Sequence, residues 1–94
     1  MEILRFNRGS STITVTDSNH GAQANDFVTF GSTATLGTSN ITATVLDQEY
    51  QIVSVPSANT YTFTAKDTDG DTVTANATVS GGGGGSTTAA YQIS

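Results

Sequence analysis

The chain has 94 residues, a formal net charge of −5, no cysteine and only nineteen Leu, Ile, Val and Phe residues against eighteen threonines. That length suits one small domain, and the lack of cysteine excludes disulfide staples. The acidic balance excludes sequence-independent binding to nucleic acid or to an anionic membrane surface, both of which need clustered Lys and Arg.

Residues 1–9 differ from the rest of the chain. Ile3, Leu4 and Phe6 are bulky, and Arg5 and Arg8 are two of the three cations in the chain. Residues 1–8 carry a net +1, whereas residues 9–94 carry −6. Two readings stand side by side: a first strand of the sheet, or an arm that docks on an acidic neighbouring subunit by strand addition. The second makes Ile3, Leu4, Arg5, Phe6 and Arg8 candidate interface residues. The same start, Met1-Glu2-Ile3-Leu4-Arg5-Phe6, lacks the basic and apolar regions of a signal peptide.

Residues 10–94 read as a single β-domain. Thr12-Ile13-Thr14-Val15-Thr16 alternates with a period of two, which is a strand with one buried and one wet face. Threonine suits the wet face, because its branched Cβ favours extended backbone while its hydroxyl stays solvated. A polar turn, Asp17-Ser18-Asn19-His20-Gly21, precedes a second strand over Asp26–Phe30. The small residues of Gly31–Ser39 read as irregular. Asn40–Leu46 fits a strand or a short helix, since Ala43, Val45 and Leu46 do not alternate cleanly.

Gln48–Val55 reads as one core strand ended by Pro56, with Pro56-Ser57-Ala58-Asn59 as a turn and Thr60–Ala65 as its hairpin partner. After a second turn, Asp67-Thr68-Asp69-Gly70, a strand is expected over Thr72–Val79. A glycine-rich loop at 81–86 then leads to a closing strand over Thr88–Ile93. Seven to eight short strands make this all-β, a small antiparallel β-barrel or sandwich. A core this thin, without disulfides, points to support from a partner subunit.

Few residues look like chemistry. Asp67, Asp69 and Asp71 place three carboxylates within five residues, the oxygen-rich composition of a calcium loop. The glycine falls one residue early for the EF-hand spacing and no glutamate follows, so an acidic turn joining two strands explains the same residues. His20 is the sole histidine and has no Ser or Asp at a diagnostic spacing, so no catalytic residue is assigned, and no cofactor is expected. It is expected to pack against its own turn. Asn40-Ile41-Thr42 and Asn76-Ala77-Thr78 match glycosylation acceptors, as chance allows in so threonine-rich a chain. Gly81–Gly85 lacks the Lys-Ser/Thr of a phosphate loop. Tyr50, Tyr61 and Tyr91 read first as core or subunit-contact residues and second as a sugar-stacking patch.

Thr14-Val15-Thr16-Asp17 with His20-Gly21, then Asp26-Phe27-Val28-Thr29-Phe30, Gln48-Glu49-Tyr50-Gln51-Ile52 and Ala58-Asn59-Thr60-Tyr61-Thr62-Phe63, form a series. Together they resemble the small β-domain of structural, mostly tail-associated proteins of tailed bacteriophages, over about residues 12–80 and on to Ile93. The chain departs from that pattern at Asn25, where the family has Gly before the Asp; Asn tolerates a left-handed conformation, so the turn is expected to survive.

The resemblance implies placement in a virion and a non-enzymatic structural role in assembly, as a tail or capsid component. The partners it implies are further copies of the chain or other virion subunits, with neither nucleic acid nor membrane among them. The alternative is a host-surface or glycan-binding decoration module.

Overall fold

Ile13, Val15, Tyr61 and Phe63 are buried, while the threonines between them lie at or near the surface, as a period of two requires. The structure, a computed structural model, describes residues 3–33, 39–79 and 87–93. In chain order the elements are β1 (Ile3–Arg5), β2 (Thr12–Thr16), β3 (Phe27–Gly31), α1 (Ala43–Leu46), β4 (Glu49–Gln51), β5 (Ser54–Ser57), β6 (Thr60–Thr64) and β7 (Thr88–Gln92). They form two antiparallel sheets, one ordered β1-β2-β6-β5 and the other β4-β3-β7. The sheets are not closed on one another, so of the two expected architectures the chain takes the sandwich. The glycine-rich loop at 81–86 lies outside the described residues.

The core sits between the sheets. Phe63 of β6 meets Tyr50 of β4 at a ring-centroid distance of 4.3 Å and Phe30 of β3 at 5.3 Å. Offset contacts of this kind add to plain area burial. Leu4, Ile13, Val15, Val28, Ile41, Leu46 and Ile52 complete a single apolar cluster around them.

Several sequence expectations are corrected. Gln48–Val55 is not one strand. Gln51 still pairs with Phe27 in the β4/β3 ladder, and the Ile52 N–H donates to Asp26 O at 2.8 Å on that same side. The next residue, Val53, donates its N–H to Thr62 O of β6 at 2.8 Å, so the chain changes sheets between two consecutive residues.

Pro56 does not end a strand either: it lies inside β5, and the turn is Ala58-Asn59 alone. β5 is the outermost strand of its sheet, where a missing N–H removes no ladder bond.

Thr72–Val79 forms no regular strand. Its alternation survives, with Val73, Ala75, Ala77 and Val79 turned inward and the residues between them exposed. Its backbone partners, however, are scattered: Val73 N–H binds Ala65 O, Ala75 N–H binds Ser10 O, and Val79 exchanges two bonds with Phe6. Without one continuous partner strand, extended backbone has no ladder to join.

The open alternative at Asn40–Leu46 resolves as one helical turn. Val45 and Leu46 are both buried, which two consecutive strand residues cannot achieve over one sheet face. Thr42 caps the turn, its Oγ1 accepting from Val45 N–H at 3.3 Å.

Residues 3–5 form an integral strand, and Phe6 follows it as a bridge to Val79. β1 pairs with β2 from Ile3 opposite Thr16 to Arg5 opposite Thr14, and Leu4 and Phe6 are buried in the core. Removing residues 1–8 is therefore expected to unfold the domain rather than merely free an arm, read as loss of the cooperative urea transition. Phe63→Ala should cost about 3–5 kcal/mol, the usual range for a buried phenylalanine. The same urea titration checks it, and a cost below about 1 kcal/mol would contradict the central place of Phe63.

Candidate functional site

The turn holding His20 and the turn of the β5–β6 hairpin dock against each other. Asp17 N–H donates to Asn59 O at 2.8 Å, Asn19 N–H to Asn59 Oδ1 at 3.0 Å, and His20 N–H to Ala58 O at 3.3 Å. Asn19 adopts a φ of 54° and Gly21 a φ of 72°, the left-handed region that asparagine and glycine tolerate. Asn25 takes the same left-handed region, with a φ of 76°.

The imidazole of His20 is buried in this joint. Its Nδ1 accepts from Ala22 N–H at 3.0 Å, which places the ring proton on Nε2. That proton faces the carbonyl oxygens of Ser57 at 3.2 Å and Thr60 at 3.1 Å. Both ring nitrogens are thus committed to backbone, and neither offers a lone pair to a substrate proton. The expectation that His20 serves only its own turn was too local, because two of its three partners lie some forty residues away.

A second set of polar groups ties the two sheets together. Tyr91 of β7 gives its hydroxyl proton to Asp17 Oδ2 at the end of β2. Its oxygen then accepts from Tyr61 of β6, 3.1 Å away. The His20 ring stands edge-on to Tyr61 with centroids 5.1 Å apart. Burial, reinforced by the bond to Asp17 and by the neighbouring Tyr61, pushes the Tyr91 phenol well above its ordinary value.

Tyr50 is also raised, chiefly by burial. Its hydroxyl reaches Val45 O at 2.6 Å and Lys66 O at 2.8 Å, and Gln48 Nε2 donates to the same two carbonyls. Tyr50 and Tyr61 are buried, so these three tyrosines do not make an exposed sugar-stacking patch.

The other sequence candidates separate. Asp67 Oδ1 accepts from the N–H groups of Asp69 at 2.9 Å and Asp71 at 3.0 Å, so the carboxylate closes its own turn. Among the described residues no three His, Cys, Asp or Glu side chains are grouped to hold a metal ion. The five interface candidates also part company: Leu4 and Phe6 are core, Arg5 and Arg8 are exposed, and Ile3 belongs to β1.

Asn40 and Asn76 bind each other reciprocally, each Oδ1 accepting the other's N–H at 3.0 Å. Asn40 Nδ2 also donates to Thr74 O at 2.8 Å. Sequence reasoning missed this clamp, because the same residues scan as two unrelated glycosylation acceptors.

Two surface features remain. An open groove of about 500 Å³ runs beside β4, lined among others by Gln48, Gln51, Thr64, Lys66, Asp67 and Thr72. The second is the side of β7 turned away from β3, with which no other described strand pairs. Of the four outermost strands among the described residues, β1 is three residues long, carries Arg5, and is continued by Phe6, whose backbone is paired with Val79. β5 contains Pro56 and a register irregularity between Ser54 and Ser57. β4 is three residues long, carries Glu49, and leads straight into the crossing to β6.

These are the devices that keep strand edges from pairing with other chains. β7 has none of them: it is five residues long, regular in its ladder with β3, and residues 87–93 contain no charge and no proline. The sequence carries no mark of it, since residues 27–46 and 50–65 are equally uncharged and nothing there shows which stretch forms an edge.

No protein-family model, curated protein or solved structure matches the chain.

Tyr91→Phe should cost about 1–2 kcal/mol, since it leaves Asp17 and the Tyr61 hydroxyl without a shared partner. Alkaline unfolding gives an independent check. A phenol held neutral in the fold but free to ionise in the unfolded chain contributes stability below the ordinary value of 10.0 that is lost as pH rises beyond it. Wild-type stability should therefore fall above that pH, and less steeply in Tyr91→Phe, which removes one raised phenol and keeps that of Tyr50. Identical pH profiles would refute the tie between the sheets.

Proposed function

We propose that this chain is a non-enzymatic structural protein of a bacteriophage virion, a tail or capsid component that acts in assembly through subunit–subunit contacts. The observation that carries the reading is the contrast among the sheet edges. Three are short, charged, bulged or covered, whereas β7 presents uncharged, regular backbone to the outside. An edge of this kind is a template for pairing with another chain.

The sequence resemblance supports the same reading in a particular way. Its scattered motifs meet in space, with His20 bonded to Thr60 O and the Asp17–His20 turn seated on Ala58 and Asn59. Asp26 receives the Ile52 N–H at the crossing. These shared residues thus spend hydrogen-bonding groups on holding the fold together. What such a pattern carries from protein to protein is a scaffold.

The alternative, a host-surface module that binds glycans, draws on the groove beside β4, whose amides, hydroxyls and single lysine are hydrogen-bonding groups. Among the described residues that line the groove the aromatic one is Tyr50, whose ring is buried.

Mass spectrometry of purified particles of the encoding virus should find the chain in multiple copies per particle. Its presence in infected-cell extract but absence from the particle would overturn the structural reading. A glycan array probed with the folded protein is expected to stay blank; binding abolished by Gln51→Ala would favour the decoration module instead.

A further inference from the structure

We propose that the free side of β7 pairs with β7 of a second copy of this chain, antiparallel and centred on Ala90, so that two three-stranded sheets become one of six strands. The inference rests on the assembly reading above and names the partner for its edge.

Charge selects a second copy over an unrelated peptide. The molecule carries −5, so two copies repel wherever their acidic turns approach each other. Residues 87–93, Thr-Thr-Ala-Ala-Tyr-Gln-Ile, carry no charge, and two copies can meet there without bringing like charges together.

The strand is also complementary to itself. With Ala90 opposite Ala90 of the second copy, Tyr91 falls opposite Ala89, Gln92 opposite Thr88 and Ile93 opposite Thr87. Each large side chain meets a small one. Ala89 and Tyr91 share the inner face and are half-buried, while Thr88, Ala90 and Gln92 share the exposed outer face. Gln92 and Thr88 therefore meet as two hydrogen-bonding groups in water. Ile93, 52% exposed in the single chain, gains cover from the second copy.

Opposed residues in this register have equal parity. The backbone groups that alternate along β7 consequently match in either phase of its ladder with β3.

The outer face lets the merged sheet continue without a step. Across it run the rows Gln51–Phe27–Gln92 and Glu49–Thr29–Ala90, set by the β3 pairings with β4 and β7. Ala90 at the centre adds no bulk. Ala90→Lys would place two cations face to face across the two-fold axis.

The test uses light scattering after size exclusion on the wild type and on Ala90→Lys and Ala90→Glu. Wild-type protein should show twice the 9.6 kDa chain mass. Each variant should fall to the single-chain mass with unchanged circular dichroism and melting temperature, because residue 90 is exposed. An equimolar mixture of the two variants should recover the double mass. A wild type that stays monomeric up to millimolar concentration, or an Ala90→Lys protein that pairs as well as wild type, overturns the proposal.

Ala90→Cys supplies a second readout that depends on no charge. The chain has no other cysteine, and directly opposed residues of an antiparallel pair have Cα atoms about 4.5–5.5 Å apart, within disulfide reach. It should cross-link under mild oxidation far faster than Ser18→Cys, placed in an exposed turn. Equal rates would also sink the pairing. A monomeric wild type found nonetheless in multiple copies in the particle would defeat the pairing and leave the assembly reading intact.

Discussion

Ile52 hydrogen-bonds toward one sheet and Val53 toward the other, and the sandwich depends on that handover. The two sheets share no strand, so the chain between β4 and β5 must pass from layer to layer without opening a gap above a thin core. Ile52 fills the space with a fully buried side chain while its N–H is bound by Asp26 O, and Val53 bonds at once to Thr62 O. A longer connection would leave buried backbone groups to be satisfied by other means. Here the layers are joined by one residue of each kind, and Phe63, Tyr50 and Phe30 are brought into contact just inside the crossing.

Polar contacts close the opposite side of the domain. The Tyr61–Tyr91–Asp17 series runs from one sheet to the other, and His20 anchors the Asp17 turn on the β5–β6 hairpin. A chain with few large apolar side chains and no cysteine relies on such fully satisfied groups to specify one packing. Removing a single member leaves the others buried without their partners, which makes these positions more sensitive than their size implies.

The period-two segments at Thr12–Thr16 and Thr60–Thr64 were legible because each pairs along its whole length with the other. The sheet crossing was not, since burial keeps alternating straight through it: Tyr50 in, Gln51 out, Ile52 in, Val53 out. A pattern of side-chain faces carries no mark of which sheet the backbone joins. The same limit explains Val73–Val79, where the faces were read correctly and the ladder was absent. Around His20 and Asn40 the deciding partners lie tens of residues away, so local spacing showed only half of each contact. The N-terminal bulk of Leu4 and Phe6 had two readings until the core claimed both side chains.

The threonine faces bear on how the protein behaves in bulk. Threonine hydroxyls carry no charge, and among the described strands only Arg5 of β1 and Glu49 of β4 are charged, so the sheets add little repulsion between molecules. What keeps the molecules apart is a set of eight carboxylates against three cations, and three of those carboxylates sit in the single Asp67–Asp71 turn. Away from those turns the surface is one of hydroxyls, amides and short apolar groups with little charge. Charge repulsion between molecules is thereby concentrated in a few turns, while the sheets that make up most of the fold contribute little to it.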